Sequence, residues 1–576
     1  MIESQGDGSR YFGSDVVADF LSAVGIDHVA MNAGATLRGL HDSLLRRNSP
    51  EIISTLHEEI AIGIAHGYAK AAGRPMAAAI HDHVGPMHAH MALFNAWADD
   101  VPMLVLGGSG PRDTARRRPW LDWIHTSAPT VAPIRDAVKW DCEPASSPGL
   151  VANLRRAYRE TLSLPMGPVF VALDVLLMEA TAEPPGDLTP PSIPTPAVAA
   201  PDRVDWLVEQ LVQAATPVFV VDRPPAGTMA PLVALAELLG AAVIDLGSRC
   251  SFPTTHWADQ SLLREQTLGG ADLVVVLDPR DLLLTVTSAE ETTRTLTSLV
   301  AADVTVVSIG TTSTRATVPV DRGGELEGAT HILGHVPSVL ARVADAVEAA
   351  SGLDRTAAEE RHLRLRESWE QARRTSEAAA DSLAGQAPIH PAHLSSSLRA
   401  AVAGGPWQLA NGLLGGWLRR LWDFESETAY LGRSGGEGLG YGLPASVGAA
   451  LAHRADDTLV VDVQADGDLL YTPQALWTAA HHRLPLLVVV YDNHGYGRDL
   501  IHQRLIAAER GWEGAPAPEG VAIQDPTVGF SRMAEGFGVE GIGPVTEPGR
   551  LRDVLTAAAV SVRSERRPVL VHVVSS

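Results

Sequence analysis

Cysteine is almost absent from these 576 residues. Only Cys142 and Cys250 occur, so there is no disulfide framework, and neither has the spacing of a zinc site. Positive charge is also scarce: Lys and Arg number 45 against 68 Asp and Glu, a formal net charge of −23. That balance argues against nucleic acid or an anionic membrane as a main partner. No apolar run reaches bilayer length, and the longest, around Leu484 to Tyr491, is strand-sized. The opening residues, MIESQGDGSR, are polar and lack a signal's apolar core. A cytoplasmic protein is therefore expected, with residues 1 to about 10 a loose tail. No short repeat and no long block of one charge is present. The composition is that of an acidic soluble enzyme, too long for one core, with three domains as the natural division.

What is there is an alternation of short apolar runs with stretches of helical period. The first set comprises His28 to Met31, Ile52 to Leu56, Ala77 to Ile80, Met103 to Leu106 and Pro168 to Leu173. A helix-like segment precedes it, with Ser14 or Asp15 as its cap. The Pro-rich passage Glu183 to Pro201 reads as an extended linker. A second set follows at Pro217 to Val221, Ala242 to Leu246, Asp272 to Leu277 and Val304 to Ser308, ending near Val347. Charged helix-like sequence from Thr356 to Ala379 leads to Ile389-His390-Pro391, where a third part begins that closes with a strand at Pro568 to Val574. Alternating strands and helices build parallel sheets covered on both faces. The expected fold class is α/β, with three doubly wound parallel-sheet domains. Their bounds are residues 1–182, 183–355 (linker and middle domain) and 356–576 (linker helix and C-terminal domain). Arg112 to Pro119, followed by Trp120 and Trp123, reads as a solvated or interface-forming loop.

The stretch from Ala465 to Gly497 is the most informative. An apolar run, Thr458 to Val463, leads into the turn Ala465-Asp466-Gly467-Asp468, and a helix-like segment follows through Trp477 and His481. A second run, Leu484 to Tyr491, stops at Asp492-Asn493-His494-Gly495. Two neighbouring parallel strands joined by a crossover helix bring both stops to one rim, where ligands of such sheets gather. Asp466 and Asn493, 27 residues apart, are hard-oxygen ligands suited to Mg²⁺ held against phosphates. Backbone N–H groups of the turn, at a helix N-terminus, can face the same phosphates. An ordinary buried βαβ unit with an incidental Asp is the alternative for this stretch alone.

The same stretch resembles the diphosphate-binding motif of thiamine diphosphate (ThDP)-dependent enzymes, Gly-Asp-Gly followed after a strand-helix-strand by Asn-Asn or Asp-Asn. The resemblance implies Asp466, Asn493 and the carbonyl of Gly495 as metal ligands, with Gly467 and Asp468 at the cofactor. Ala465 replaces the usual first Gly, and Asp468 stands where a Ser commonly touches the diphosphate, so Asp468 is expected to point away or to meet the metal. A second segment, LHEEIAIGIAHGYAKAAGRP, resembles the family's catalytic segment. There Glu58 is implied to hydrogen-bond N1′ of the aminopyrimidine and to relay the proton that lets thiazolium C2 be deprotonated. A Glu in a helix's first turn is also favoured by the dipole without any function, and Glu59 reads as a solvated neighbour. A third segment, Ser434 to Pro444, is similar to the glycine-rich family segment ahead of the diphosphate motif. It implies Leu439 as the apolar prop that bends the cofactor and the Glu437 carbonyl as partner of the 4′-amine. Asn411-Gly412-Leu413-Leu414-Gly415-Gly416-Trp417 is more loosely similar to another diphosphate-contacting turn and adds Gly412.

Within the family the resemblance is to benzoylformate decarboxylase-like and acetolactate synthase-like enzymes. His81, 23 residues after Glu58, resembles an active-site histidine of benzoylformate decarboxylase. It is implied to orient a 2-oxo acid carboxylate or to handle a proton of the adduct. Ala35 stands where that enzyme has a substrate-binding Ser, and Pro279 to Thr287 lacks its second catalytic His. The middle domain shows no FAD-binding pattern of the kind acetolactate synthases carry, so FAD is not expected. The implied reaction is cleavage of a 2-oxo acid next to its carbonyl through a ylid and an acyl-anion (enamine) equivalent. That equivalent is protonated to an aldehyde or added to an aldehyde or second 2-oxo acid. Arg498 to Trp512 is expected to form a mobile loop over the substrate, with His502 or Gln503 in contact. His83, His88 and His90 cluster near His81, but a helix puts His88 and His90 on different faces, against a metal site. His256 reads as structural. The family builds its site between the first domain of one subunit and the third of another, which implies a homodimer or homotetramer. Two other classes stay in view. Glu58 argues against a non-catalytic ThDP-binding homologue, and the absence of Gly-x-Gly-x-x-Gly at Asn32-Ala33-Gly34 argues against a nicotinamide-dependent enzyme.

Overall fold

The structure, a computed structural model, describes residues 10–311, 326–412, 414–512 and 519–576. The expected N-terminal tail, apart from Arg10, and Leu413 of the glycine-rich turn lie outside the described residues. The first sheet holds β1 (His28–Met31), β2 (Glu51–Ser54), β3 (Met76–His81), β4 (Met103–Ser109), β5 (Trp140–Cys142) and β6 (Pro168–Asp174) in the order β2-β1-β3-β4-β6-β5. The second holds β7 (Pro217–Val221), β8 (Ala242–Asp245), β9 (Leu273–Leu277), β12 (Thr305–Gly310) and β13 (Thr330–Leu333) in the order β13-β12-β9-β7-β8. Between β9 and β12 the chain makes a small antiparallel ribbon, β10 (Thr287–Ala289) with β11 (Leu296–Ser298). The third sheet has β14 (Trp407–Asn411), β15 (Leu459–Ala465), β16 (Leu486–Asp492), β17 (Glu540–Val545) and β18 (Val569–Val574) in the order β14-β15-β16-β18-β17.

Every pairing within these three sheets is parallel, as the sequence predicts. The reason is visible in β9. Leu273, Val275 and Leu277 join one apolar cluster while Val274 and Val276 join another, so both faces of the strand are covered. A strand buried on both sides must be apolar throughout, and the continuous runs in the sequence have that character. In the third sheet the register pairs Ala465 with Tyr491, so Asp466 and Asp492 reach the same rim.

The chain groups into two compact units. One runs through Pro194 and includes Ser434–Ala452 and Thr472–His482; the other comprises Thr195–Arg433, His453–Tyr471 and Arg483–Ser576. The first sheet lies in the first unit and the other two in the second. Two helical stretches that follow β14 and β15 in sequence thus belong with the first unit.

Some boundaries differ from expectation. The first helix begins at Gly13 with Phe12 at its cap position, and the Asp15 carboxylate accepts the Phe12 N–H at 2.8 Å from inside the first turn. Strand β2 stops at Ser54, because His57 and Glu58 already serve the next helix. Arg498 to Trp512 is not a loop: Gly497–Glu509 is a helix of 13 residues. Beyond Gly497 its sequence, RDLIHQRLIAAE, contains no Gly or Pro and is rich in helix formers, a local preference that outweighs its position next to a candidate site. No described helix is long and apolar enough to cross a membrane.

Candidate active site

In the second unit the rim of the third sheet is organised by Asp466, the first residue of a short helix, Asp466–Leu469. Its side chain is 1% exposed. One carboxylate oxygen accepts the Gly467 N–H at 2.8 Å and the other the Gly495 N–H at 2.8 Å, so one acid ties together the two turns that end β15 and β16. Burial pushes its pKa up to about 6 against those two donors, and the nearby Asp492 carboxylate adds to the rise. Asp492 is held by His572 Nε2 at 2.9 Å and by the His494 N–H at 2.9 Å. Asn493 lies half-buried between these groups, its amide nitrogen against Gly497. A Cβ on Gly497 would lie 2.7 Å from that nitrogen.

The two glycines of this rim are set by close approach. A Cβ on Gly467 would lie 2.6 Å from the Tyr496 ring, and one on Gly495 would lie 2.4 Å from the Val521 carbonyl oxygen. Asp468 turns back toward its own strand, where the Gln464 side-chain amide donates to it. Gly412 sits against Val463 and Leu418, and its carbonyl accepts the Tyr430 hydroxyl at 2.8 Å. Below it the Asn411 amide donates to Asp462 at 3.0 Å and to Gln464 at 3.2 Å.

In the first unit Glu58 opens the helix Glu58–Ala72 and is 7% exposed. His57 caps that helix, its Nδ1 accepting the Glu59 N–H at 3.2 Å, and burial lowers the pKa of His57. The turn from β3 into the helix Val84–Ala98 lies against the acid: a Cβ on Gly85 would be 3.3 Å from Glu58 Cγ. From the same helix His88 Nδ1 comes within 3.2 Å of Glu58 Oε2 while its ring stacks on His57. His57, Glu58 and His88 are the described residues whose possible ligand atoms all lie within 4.8 Å of one another. His88 therefore pairs with Glu58 rather than with His83 or His90.

His81 ends β3, and its Nδ1 lies 2.8 Å from the Thr36 hydroxyl. Burial lowers its pKa, followed by the neighbouring His125, while the Glu58 charge works in the opposite direction. Ala35 opens a short 3₁₀ turn and is exposed, whereas Thr36 beside it is buried.

The glycine-rich segment belongs to this unit as well, and the helix Val84–Ala98 shapes it. Asn95, 1% exposed, donates to the Gly438 carbonyl at 3.1 Å and accepts the Gly438 N–H at 3.0 Å. It also accepts the Ser434 hydroxyl at 3.1 Å. One helical turn earlier Met91 occupies the space that a Cβ on Gly438 would need, at 2.2 Å. One turn later Asp99 lies 2.5 Å from a Cβ built on Gly435. So the face Met91, Asn95, Asp99 receives the segment carrying Glu437, in left-handed backbone at φ 54°, and Leu439, 38% exposed. The sequence marked the glycines but not the helix face that requires them.

His502 and Gln503 lie on the helix Gly497–Glu509, which presents Ile501, Leu505 and Ile506 to the surface. His502 Nε2 is 3.0 Å from Glu291, and Gln503 is exposed. His256 is held by the Ala258 N–H at 3.1 Å and packs edge-on to Phe252, a structural setting. Trp120 and Trp123 are 74% and 65% exposed.

Three parallel α/β sheets, with a hard-oxygen rim on one unit and a buried acid in the first turn of a helix on the other, define a cofactor-using α/β enzyme. The N-terminal TPP binding domain of thiamine pyrophosphate enzymes matches residues 12–128, and their C-terminal TPP binding domain matches residues 410–573. The chain belongs to this thiamine pyrophosphate enzyme family. It is 26% identical over 525 residues to benzoylformate decarboxylase of Pseudomonas aeruginosa, covering 90% of each chain. It is 23% identical to the acetolactate synthase isozyme 3 large subunit of Escherichia coli, over 96% of this chain and 93% of that one. Its fold is that of the ThDP-dependent 4-hydroxybenzoylformate decarboxylase of Rhodococcus jostii RHA1, with a TM-score of 0.75, 24% identity and coverage of 98% and 99%.

Proposed function

We propose that the protein is a ThDP- and Mg²⁺-dependent lyase that decarboxylates a 2-oxo acid, with an aromatic 2-oxo acid as the first substrate to try. The observation that carries the reading is a buried glutamate, Glu58, heading a helix beside His81 in a chain with both TPP-binding domains. The donor set suits the metal. Asp466 is a buried carboxylate held by two N–H groups and pushed toward neutrality beside a second acid, a pair that a divalent cation would relieve. Asp466, Asn493 and the Gly495 carbonyl would hold Mg²⁺, with backbone at Gly467 and Gly412 for the diphosphate. Asp468, engaged by Gln464, leaves that contact to its neighbours.

Glu58 would hold the aminopyrimidine and exchange a proton there, and the Glu437 carbonyl and Leu439 would orient the heterocycles. Bound ThDP supplies the electron sink for the carbon that loses CO₂. His81, whose burial lowers its pKa, would bind the substrate's carboxylate end and manage its proton. The three-domain division at 1–182, 183–355 and 356–576 is part of the proposal, each range holding one complete sheet. So is a homodimeric or homotetrameric assembly.

Full-length protein is expected to release CO₂ from benzoylformate or another 2-oxo acid in a panel, only with ThDP and Mg²⁺ present. Adding aldehyde acceptors then separates decarboxylation from acetolactate synthase-like ligation, the second reading that the relatives support. No CO₂ release across the panel, with cofactor bound, would refute both.

A further inference from the structure

We propose that Thr36 is a positioning residue for His81, fixing the imidazole as the tautomer that carries its proton on Nε2. The inference rests on the reading of His81 as a substrate-binding group. Three observations lead to it. The Thr36 hydroxyl lies 2.8 Å from His81 Nδ1. Thr36 is 2% exposed, so its hydroxyl has no access to bulk water and needs a protein acceptor. Among the described residues the His81 nitrogen is the hydrogen-bond partner that hydroxyl has. A buried hydroxyl with one acceptor donates to it. An imidazole nitrogen that accepts carries no proton, and in the neutral ring the proton then resides on the other nitrogen.

The site is built around this contact on both sides. Gly34 lies so close that a Cβ there would be 2.3 Å from His81 Cγ, so the absence of a side chain leaves room for the ring beside Thr36. Gly108 in β4 leaves room for the hydroxyl itself: a Cβ on Gly108 would lie 2.3 Å from Thr36 Oγ1. Two glycines on different elements are thus required by one threonine–histidine pair. The groups that bear on the ring's charge are His125, whose ring is edge-on at 5.7 Å, then Glu58, Arg118 and His83. Of these only Glu58 favours the protonated ring, while burial, the largest effect, favours the neutral one. A neutral imidazole with a defined tautomer offers one N–H donor, which suits the carboxylate or carbonyl oxygen of a 2-oxo acid. It also accounts for Ala35: the hydroxyl of this turn sits one residue later and acts on the histidine.

The test is a double-mutant cycle on the holoenzyme, reading kcat/KM for CO₂ release from the best 2-oxo acid. Thr36→Val keeps the shape and removes the hydroxyl; it is expected to lower kcat/KM roughly 10- to 100-fold, the range for a group that orients a functional imidazole. Thr36→Ser restores the hydroxyl and is expected to recover most of that loss. In a His81→Ala background Thr36→Val is expected to cost nothing further, because Thr36 acts through the ring. Additive losses in the two backgrounds, or a Thr36→Ser enzyme as impaired as Thr36→Val, would overturn the role of Thr36. A His81→Ala enzyme with wild-type kcat/KM would instead overturn the reading of His81 on which the inference rests. Thermal midpoints of all variants within a few degrees of wild type separate these outcomes from misfolding.

Discussion

Asp82 has left-handed backbone at φ 43° and no exposed surface, and burial pushes its pKa up to about 6 against the hydrogen bond from the His83 N–H. An unfolded Asp ionises near 3.9, so the folded chain prefers this group protonated. With the folded pKa raised, the favourable contribution is complete below about pH 4 and is lost as pH rises through about 6. The loss is about 3 kcal/mol. Asp82→Asn, neutral at every pH and tolerant of the left-handed backbone, escapes it. Its gain in urea midpoint over wild type is expected to widen from pH 4.5 to pH 7.5; a gap that stays constant rules out the titration of Asp82. Neither this burial nor the Thr36 contact can be read from the sequence, where both residues look like ordinary turn formers. The helix start at Glu58 was legible because the His-Glu pair ahead of a helical stretch is a local pattern.

The helices Glu58–Ala72 and Gly442–Ala452 meet backbone to backbone, through glycines on both. A Cβ on Gly67 would lie 1.9 Å from the Ala445 carbonyl oxygen, and one on Gly448 would lie 2.0 Å from that of Ile64. The atoms in the way are main chain and cannot swing aside, so the helices must separate. Gly67→Ala is expected to destabilise the protein by about 3 kcal/mol or more and to lower its thermal midpoint by several degrees. Gly186→Ala, with nothing within 4 Å of its added carbon, is expected to leave the midpoint unchanged. Equal midpoints for the two variants would show that this seam opens freely. The helix Gly497–Glu509 carries the opposite lesson. Its helix-forming content was in the sequence, but adjacency to a candidate metal turn pointed to a mobile loop, and local propensity decided.

At the scale of the whole molecule, cofactor and metal are expected to act as stabilising ligands. Binding to the folded state alone adds about 2.7 kcal/mol at a hundredfold excess over Kd. The thermal midpoint should rise when ThDP and Mg²⁺ are added together and fall back with EDTA. Asp466→Ala should abolish the rise, since the rim loses the carboxylate proposed to meet the metal and the hydrogen bonds that join its two turns. A variant that still responds to both would place the metal elsewhere. The net charge of −23 does not enter this balance, because the response depends on a buried acid rather than on surface charge.

The sequence by itself determined the α/β class, the parallel pairing of the strands, and the motifs at Glu58, at Ser434 to Pro444 and at Asp466. Each is a short-range pattern: doubly buried strands must be apolar along their length, and turns that bind backbone to ligand need small or acidic residues at set spacing. Only the tertiary structure decided that Asn95 clamps the glycine-rich segment, that Thr36 reaches His81, that His88 meets Glu58, and that two helical stretches after β14 and β15 belong with the first unit. Those partners are brought together by the order of strands in a sheet and by helix packing, which no spacing along the chain encodes. A side chain's hydrogen bond depends on which distant segment arrives beside it.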